Sequence, residues 1–431
     1  MERRKIVSMT AVLVGIVAFV LSDSTLIRFF LMLIVSGFGI AYFRFDILYP
    51  FTWLAPSFIV YNISVYIFEL LGIREVYSYP IILNSLFLCI CTVFFYCVFF
   101  VQNKSVRALR DDFLTSGSIN TIKKIIYVFA AYLFICIPLF LRSGFSSKLE
   151  MNMNGGIFGL GIVSRLFVLL YTVFIIYRTK YDGKFPVRHL IGASVLTLLI
   201  SLIIGERDVF LSVAINSFFV YYYFYKPPLR KVALFVLVGL VAVVVLGQFR
   251  QITNRDEDNT SERTLVESFF GSEFGASAYN FEVILNNPGS WQYQHGKGLI
   301  QDIVSSFIPS FIWPVNTPSK EYNKKFNSRV DQGYGAGYSY LAEGYQQWGY
   351  VGVFIWSVIL MIIIHFLYKK SYNTVFGFAA YIFMIALIIY AMRGDLSYVI
   401  SPLFKQVFLT YLFLLLLFSW RKRRVPERIP A

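Results

Sequence analysis

Long apolar stretches, separated by short polar segments, run along most of the chain. An α-helix needs about 20 apolar residues to cross the hydrocarbon core of a bilayer. We predict twelve transmembrane helices from this pattern, at residues 6–22, 25–42, 47–70, 80–101, 125–141, 157–177, 189–204, 209–225, 232–247, 350–368, 375–392 and 403–420. The pattern therefore predicts an all-α polytopic membrane protein.

One polar interruption, residues 248–349, is far longer than the others. It divides the chain into nine predicted transmembrane helices over 1–247, a large extracytoplasmic loop over 248–349, and three transmembrane helices with a basic tail over 350–431. Loops of this length without secondary structure are uncommon in folded domains, and this one is rich in aromatic residues.

Within that loop, residues 299–313 predict a short amphipathic helix that lies at the outer membrane interface and ends near Pro309. Its apolar positions recur at helical spacing, at Leu299, Ile300, Ile303, Val304, Phe307 and Ile308.

Composition agrees with this prediction, because 57% of the 431 residues are hydrophobic, 15% are charged and the mean hydropathy is +0.64. Soluble domains are nearer a quarter charged. The first apolar stretch follows MERRK without a small-residue cleavage site, so we expect an uncleaved anchor rather than a signal peptide. All four cysteines lie inside predicted helices, which argues against a disulfide framework.

The distribution of positive charge predicts the orientation, because Lys and Arg accumulate on the cytoplasmic side. With the N-terminus inside, the seven cytoplasmic segments carry 23 of the 39 Lys and Arg residues. Both termini are then cytoplasmic, and residues 248–349 are outside. This topology accounts for the net charge of +15 without a nucleic-acid partner.

The sequence lacks GxxxxGK[ST], HExxH and GxSxG patterns. Nucleotide-driven chemistry is therefore not expected. No outward-facing cluster of Asp, Glu and His has convincing ligand spacing either, so we expect no metal and no cofactor.

Arginines recur at the outer ends of the predicted helices. Arg207 and Arg393 lie in short turns, Arg250 begins the long loop, and Arg165 lies inside the sixth helix. Guanidinium groups pair bidentately with phosphate oxygens, so this group predicts a site for a lipid-linked phosphate or pyrophosphate.

Each arginine also has a structural interpretation. Arg207 would pair with Glu206 or Asp208 in a solvated turn, and Arg393 would pair with Asp395. Arg165 would extend its side chain to the membrane interface.

Three outward residues are candidates to accept a proton. His295 is the only predicted outward histidine, Glu343 comes just before the tenth helix, and Asp208 follows Arg207. A histidine can take a hydroxyl proton near neutral pH. The alternative for His295 is an ordinary loop residue, and the alternative for Glu343 is charge complementarity at a helix N-terminus.

Nine aromatic residues of the loop region could stack on sugar rings or form an aromatic belt at the membrane interface. They are Trp291, Tyr293, Tyr322, Tyr334, Tyr338, Tyr340, Tyr345, Trp348 and Tyr350.

The chain resembles the Wzy-type O-antigen, or oligosaccharide repeat-unit, polymerases. The resemblance lies in GERDVFLS, in HGKGLIQDIVSSFIPSFIWPVNTP, in YSYLAEGYQQWGYVGVF, and in the plan of twelve helices with one late outer loop. The Arg-x(10)-Gly pattern of some members is absent after Arg250, Arg255, Arg263 and Arg329.

The resemblance implies a glycosyltransferase of the bacterial inner membrane that acts on the periplasmic face. The donor would be a glycan on undecaprenyl pyrophosphate, and the acceptor would be one lipid-linked repeat unit. Arg207 and Arg393 would engage the donor pyrophosphate from opposite sides of a cavity. A chain-length regulator and a flippase would be neighbours in the membrane.

Two other functions remain open at this point. An O-antigen ligase would move the finished polymer to a lipid A core. A twelve-helix flippase or transporter would show two similar halves, but the halves of this chain differ.

Overall fold

The computed structural model describes residues 2–43, 45–62, 109, 116–143, 159–203, 207–239, 241, 277, 281, 284, 294–308, 317, 318, 321 and 338–424. Every regular element within these ranges is helical, which confirms the all-α prediction for this part of the chain. The fourth predicted transmembrane helix, residues 80–101, lies outside the described residues.

The described helices follow the predicted apolar stretches closely. In chain order they are α1 (Glu2–Leu21), α2 (Thr25–Tyr42), α3 (Pro50–Asn62), α4 (Ser116–Ser143), α5 (Leu160–Asp182), α6 (Val187–Ile203), α7 (Arg207–Tyr225), α8 (229–239), α9 (Lys297–Phe307), α10 (Tyr340–Ser371), α11 (Val375–Ala391), α12 (Ser397–Pro402) and α13 (Leu409–Arg424). A π-helical segment, Leu403–Phe408, joins α12 to α13 without a break.

Four of the described segments are long and apolar enough to cross a membrane: Ser118–Arg142, Leu160–Asp182, Tyr340–Ser371 and Ser397–Phe418. Shorter apolar helices accompany them at Leu26–Tyr42, Val187–Ile203 and Val375–Ala391. The chain is therefore a multi-pass membrane protein, and the total of twelve transmembrane helices stays a prediction.

The chain divides into two compact units. The first comprises Met1–Ser105, Leu240–Tyr368 and Ile388–Tyr398, and the second comprises Val106–Gly239, Lys369–Leu387 and Val399–Ala431. Both units combine segments that are distant in sequence.

In the second unit, α5 packs against α4, α7 and the π-helical segment. Every residue from Phe167 to Tyr177 is buried, so α5 has no lipid-facing stripe over this length. Polar contacts join it to α7: the Asn216 amide lies 2.9 Å from the Thr172 hydroxyl, and the Tyr171 and Ser217 hydroxyl oxygens are 3.3 Å apart. Buried polar groups are costly unless they are paired, which explains why these residues face one another.

In the first unit, α10 is a helical hairpin rather than one straight helix. The backbone leaves helical geometry at Trp348 and Gly349, where the φ of Gly349 is +60°. The Tyr340 hydroxyl donates to the Trp356 carbonyl at 2.6 Å. Sixteen residues of straight helix would span about 24 Å, so the part before the kink must fold back on the part after it.

Two glycines make this close approach possible. A Cβ atom on Gly352 would lie 1.8 Å from the Gly344 carbonyl oxygen, and a Cβ on Gly344 would lie 2.9 Å from the Gly352 oxygen. The second part of α10 starts where the sequence predicts the tenth transmembrane helix. Residues 340–347, which we expected in the loop before it, are a short helix packed against it.

Helix α9, Lys297–Phe307, lies where the sequence predicts an amphipathic helix and ends before Pro309. Its apolar face is exposed at Ile300, Ile303 and Phe307. Its polar face is buried instead, at Gly298, Gln301, Asp302 and Ser306. This arrangement suits a helix whose apolar side meets lipid and whose polar side meets protein.

Candidate functional site

The buried polar face of α9 meets the first part of α10 and the turn that follows α11. The turn is built on backbone hydrogen bonds, with the Arg393 N–H donating to the Tyr390 carbonyl at 3.2 Å and the Gly394 N–H to the Ala391 carbonyl at 2.9 Å. A side chain on Gly394 would meet the Tyr398 ring at 2.6 Å, so this position requires glycine. The half-buried guanidinium of Arg393 lies 5.8 Å from the centre of the Tyr390 ring.

Glu343 is fully buried and bonded to this turn. Its Oε2 accepts a hydrogen bond of 2.8 Å from the backbone N–H of Leu396. The buried Trp356 indole N–H faces the same carboxyl group and has no better-aligned acceptor. The sequence suggested that Glu343 lies in the loop or is an exposed charge at a helix terminus. The structure instead buries it in the first turn of α10.

Two further carboxyl groups lie beside Glu343. Asp302, from α9, is 0% exposed and in hydrogen-bonding contact with Glu343. Asp395, from the turn, is also 0% exposed and accepts a hydrogen bond from the Ser397 hydroxyl. Burial, reinforced by the charges of Glu343 and Asp395, raises the pKa of Asp302 well above its ordinary value.

The carboxyl contact requires a proton. Neither oxygen of Asp302 nor Oε1 of Glu343 accepts a well-formed hydrogen bond from another group. Two adjacent carboxyl groups cannot both ionise in a buried site, and one shared proton satisfies both. The raised pKa of Asp302, caused mainly by burial, favours its protonated form.

His295 lies in the turn that precedes α9. Hydrogen bonds fix the turn to α10: among them, the His295 N–H donates to the Gln347 carbonyl at 3.2 Å, and the N–H groups of Gly296 and Gly298 donate to Gln347 Oε1 at 2.9 and 3.2 Å. His295 adopts a φ of +47° and is exposed. The structure thus places His295 and Glu343 in the same unit. His295 is bonded to Gln347, which follows Glu343 by one helical turn of α10.

Arg165 and Asp208 belong to the second unit and form an ion pair, with Arg165 Nη2 3.5 Å from Asp208 Oδ2. Both side chains are mostly buried, at 25% and 13% exposure. The assignment of Asp208 to a turn is wrong, because it is the second residue of α7. Its carboxylate pairs with Arg165 rather than facing solvent, and an acidic residue in the first turn also stabilises the helix dipole.

The other predicted arginines are described less fully. Arg207 is the first residue of α7, with its side chain outside the described part of the structure, and Arg250 lies outside the described residues altogether. Within the residues that the structure describes, no group of three His, Cys, Asp or Glu side chains has a metal-binding arrangement.

The aromatic residues divide into two groups. Tyr338 and Tyr340 are 1% exposed, so they pack inside the protein and do not offer a ring face to a sugar. Tyr345 and Tyr350 pack edge to face, with ring centres 6.0 Å apart, and Tyr350 is 44% exposed. Trp348 packs against Trp356, and Trp291, Tyr293, Tyr322 and Tyr334 lie outside the described residues.

Asp302 was not among the site residues predicted from the sequence, and Asp395 was predicted only as a partner for Arg393. A polar residue on the hydrophilic side of an amphipathic helix normally faces water, so Asp302 gave no signal. Its position among Gln301, Ser305 and Ser306, a polar stripe in a segment otherwise suited to lipid, was the available hint.

Comparison with known proteins gives one match. No curated protein and no solved structure matches the chain. The family model described as O-antigen polysaccharide polymerase Wzy matches residues 5–424, nearly the whole sequence. This match confirms the resemblance drawn from the motifs, and the chain belongs to the Wzy O-antigen polysaccharide polymerase family.

Proposed function

We propose that the protein polymerises oligosaccharide repeat units carried on undecaprenyl pyrophosphate, at the outer face of the bacterial inner membrane. The observation that carries this proposal is the family match over residues 5–424. The multi-pass helical architecture supports it, because substrates with polyprenyl tails stay in the bilayer.

The reaction is a glycosyl transfer. A hydroxyl oxygen of the acceptor repeat unit attacks the anomeric carbon of the donor glycan, and the bond between that carbon and the pyrophosphate breaks. The hydroxyl proton passes to a base, and undecaprenyl pyrophosphate leaves with its negative charge. Fixed cations lower the barrier by stabilising this charge where water is scarce.

Arg393 binds the pyrophosphate in this proposal. Its turn is held by backbone hydrogen bonds, so the backbone that carries the guanidinium group is fixed. Arg207, Arg250 and Arg165 remain predicted contributors, and Arg165 already has Asp208 as an ionic partner.

His295 is the proposed proton acceptor. It is exposed on a turn fixed to α10, whereas Glu343 is fully buried and Asp208 is paired with Arg165. Removing a positioned base lowers a rate by about 10²- to 10⁴-fold. We therefore expect His295→Ala to lose polymer at normal protein level, with the exposed neighbour Lys297→Ala as the matched control.

A deletion strain tests the function directly. Loss of a polymerase leaves single repeat units capped onto the lipid acceptor, and expression of the full chain restores the polymer ladder on a gel. Polymer that accumulates on its carrier without transfer would indicate a ligase instead. Repeat units trapped in the inner leaflet would indicate a flippase.

The polymerase is proposed to need no metal ion. Polymerisation by the purified protein, with repeat-unit lipid extracted from the deletion strain, should therefore persist in excess chelator. Activity that vanishes with chelator and returns with magnesium or manganese would contradict this. A chain-length regulator and a flippase are proposed neighbours in the same membrane.

A further inference from the structure

The turn after α11 depends on a carboxylate from a distant part of the chain. The backbone N–H of Leu396 donates to Glu343 Oε2 at 2.8 Å, across 53 residues of sequence, and both residues are 0% exposed. Because both groups are buried, the turn loses this hydrogen bond if the carboxylate is removed.

Loss of this hydrogen bond would also displace Arg393, which lies in the same turn. Only two residues separate Arg393 from Leu396, and the N–H groups of Arg393 and Gly394 are bonded to the last turn of α11. A Cβ on Gly394 would lie 2.6 Å from the Tyr398 ring, so the backbone of the turn passes close to that ring. The direction of the Arg393 side chain is therefore coupled to the position of the Leu396 N–H.

Asp302 lies beside Glu343 in the same buried region. The two carboxyl groups are in contact, and the backbone N–H of Ser397 also faces Asp302. Helix α9, which carries Asp302, is itself fixed by Gln347 at its start and by a 2.7 Å hydrogen bond from Gln301 to Glu321. Asp395, from the turn, is the third acidic group facing this contact.

This geometry does not suit Glu343 as a base. Its Oε2 is occupied by the Leu396 N–H and its Oε1 is buried beside Asp302, so neither oxygen faces a substrate hydroxyl in this structure. The hydrogen bond from the Leu396 N–H instead connects Glu343 to the turn that carries Arg393, the proposed pyrophosphate-binding residue.

We propose that Glu343 and Asp302 are positioning residues: the Glu343 carboxylate, hydrogen-bonded to Asp302, holds the turn of residues 393–396 so that Arg393 is presented to the donor pyrophosphate. This inference rests on the proposed polymerase function. It assigns to the buried carboxyl pair a role in substrate binding that acts through Arg393 rather than through proton transfer.

A double-mutant cycle tests the coupling. Removing one hydrogen bond to a charged group corresponds to about 10- to 150-fold in rate. Glu343→Ala should therefore lower kcat/KM for the extracted repeat-unit lipid by about this factor, and should add little in an Arg393→Ala background. The control is Gln346→Ala, on the same buried helix, whose side chain accepts from the Tyr338 hydroxyl instead. Its effect should be additive with Arg393→Ala.

The conservative variant separates positioning from catalysis. In Glu343→Gln, the amide oxygen still accepts from the Leu396 N–H, and the amide nitrogen can donate to an ionised Asp302. We expect a loss of no more than about 12-fold, the range of one neutral hydrogen bond. A loss of about 10²-fold or more in this variant would assign Glu343 to proton transfer and overturn the proposal.

A second measurement does not depend on activity. In a chain without its native cysteines, Arg393→Cys in detergent micelles reports on the turn through its rate of alkylation by a maleimide. Glu343→Ala should change this rate, and Gln346→Ala should not. An unchanged rate with Glu343→Ala would overturn the positioning role even if the protein proves not to be a polymerase.

The outcomes also distinguish the two proposals from each other. Full additivity of Glu343→Ala and Arg393→Ala overturns the positioning role while leaving the polymerase intact. If Glu343→Ala does not accumulate in the membrane, two measurements on Glu343→Gln decide. They are its kcat/KM and the alkylation rate of Arg393→Cys in the Glu343→Gln background. Failure of the wild-type chain to restore polymer overturns the proposed function, and the alkylation result then stands by itself.

Discussion

Three acidic side chains, Asp302, Glu343 and Asp395, are fully buried within one unit of the protein. A buried carboxylate is stable only if it is paired or protonated. Here Glu343 receives the Leu396 N–H, Asp395 receives the Ser397 hydroxyl, and burial raises the pKa of Asp302, which favours its neutral form beside Glu343. This distribution lets three acids occupy one apolar region without three charges.

Asp302 should make stability depend on pH. Its pKa is raised in the folded protein, mainly by burial, so the folded chain keeps a proton that the unfolded chain releases above about pH 4. Stability therefore falls as pH rises from that value through the folded-state pKa, by at most about 1.4 kcal/mol per pH unit for one proton.

The Asp302→Asn variant cannot titrate at this position, so its melting temperature in detergent should rise relative to wild type as pH increases. Ser306→Ala, another fully buried change on α9, removes no titratable group and should keep a constant offset. A constant offset for Asp302→Asn as well would show that Asp302 is ionised in the folded protein.

Arg207 is predicted from the sequence to bind pyrophosphate. Removing a preorganised donor that faces developing charge costs about 10²- to 10³-fold in rate. Arg207→Ala should lose polymer by this order, and Arg207→Lys should stay impaired because it lacks the bidentate fork. Surface polymer and membrane protein level are measured together. Normal polymer from both variants would leave Arg207 as a helix-terminal residue of α7.

At the scale of elements, two features bring the acidic residues Asp302 and Glu343 together. One is the hairpin within α10, and the other is that α9 buries its polar face and exposes its apolar face. The hairpin brings Glu343 beside α9, and α9 exposes Ile300 and Ile303 while it buries Asp302. Neither element forms the carboxyl pair by itself. The pair exists because a short helix folds back at Trp348 and Gly349.

The hairpin should not tolerate a methyl group at its closest point. A Cβ at Gly352 would lie 1.8 Å from the Gly344 carbonyl oxygen, so Gly352→Ala must push the two parts of α10 apart. Overpacking of this kind costs about 1–3 kcal/mol. We expect a lower melting temperature in detergent and reduced polymer.

Gly161 offers the matched control for this change. It lies in the first turn of α5, and an added Cβ would meet nothing within 4 Å. Since alanine favours a helix over glycine by about 0.5–1 kcal/mol, Gly161→Ala should be neutral or stabilising. Equal behaviour of the two variants would argue against the close approach in α10.

At the scale of the whole molecule, the positive charge distribution makes the strongest prediction. The segments predicted to be cytoplasmic hold 23 of 39 Lys and Arg residues in one alternation of sides. Reporter fusions at Asn259 and Ser371 should therefore report opposite sides of the membrane, with Asn259 outside. The same side for both would contradict the plan of twelve helices.

The sequence by itself determined the membrane class, most described helices, the end of α9 before Pro309 and the family. These depend on local composition and periodicity, which each segment carries whatever surrounds it. The amphipathic pattern of α9 was visible in the sequence, but its polar face contacts protein where solvent was expected.

Only the tertiary structure decided which polar residues meet. The hydrogen bond from Leu396 to Glu343 spans 53 residues, and the ion pair of Arg165 with Asp208 joins separate helices. Glu343 looked like an exposed residue before a helix, because nothing local shows that Trp348 and Gly349 fold its segment back into the protein. Charge pairing and burial are properties of three-dimensional contact, and a one-dimensional pattern specifies neither partner nor depth.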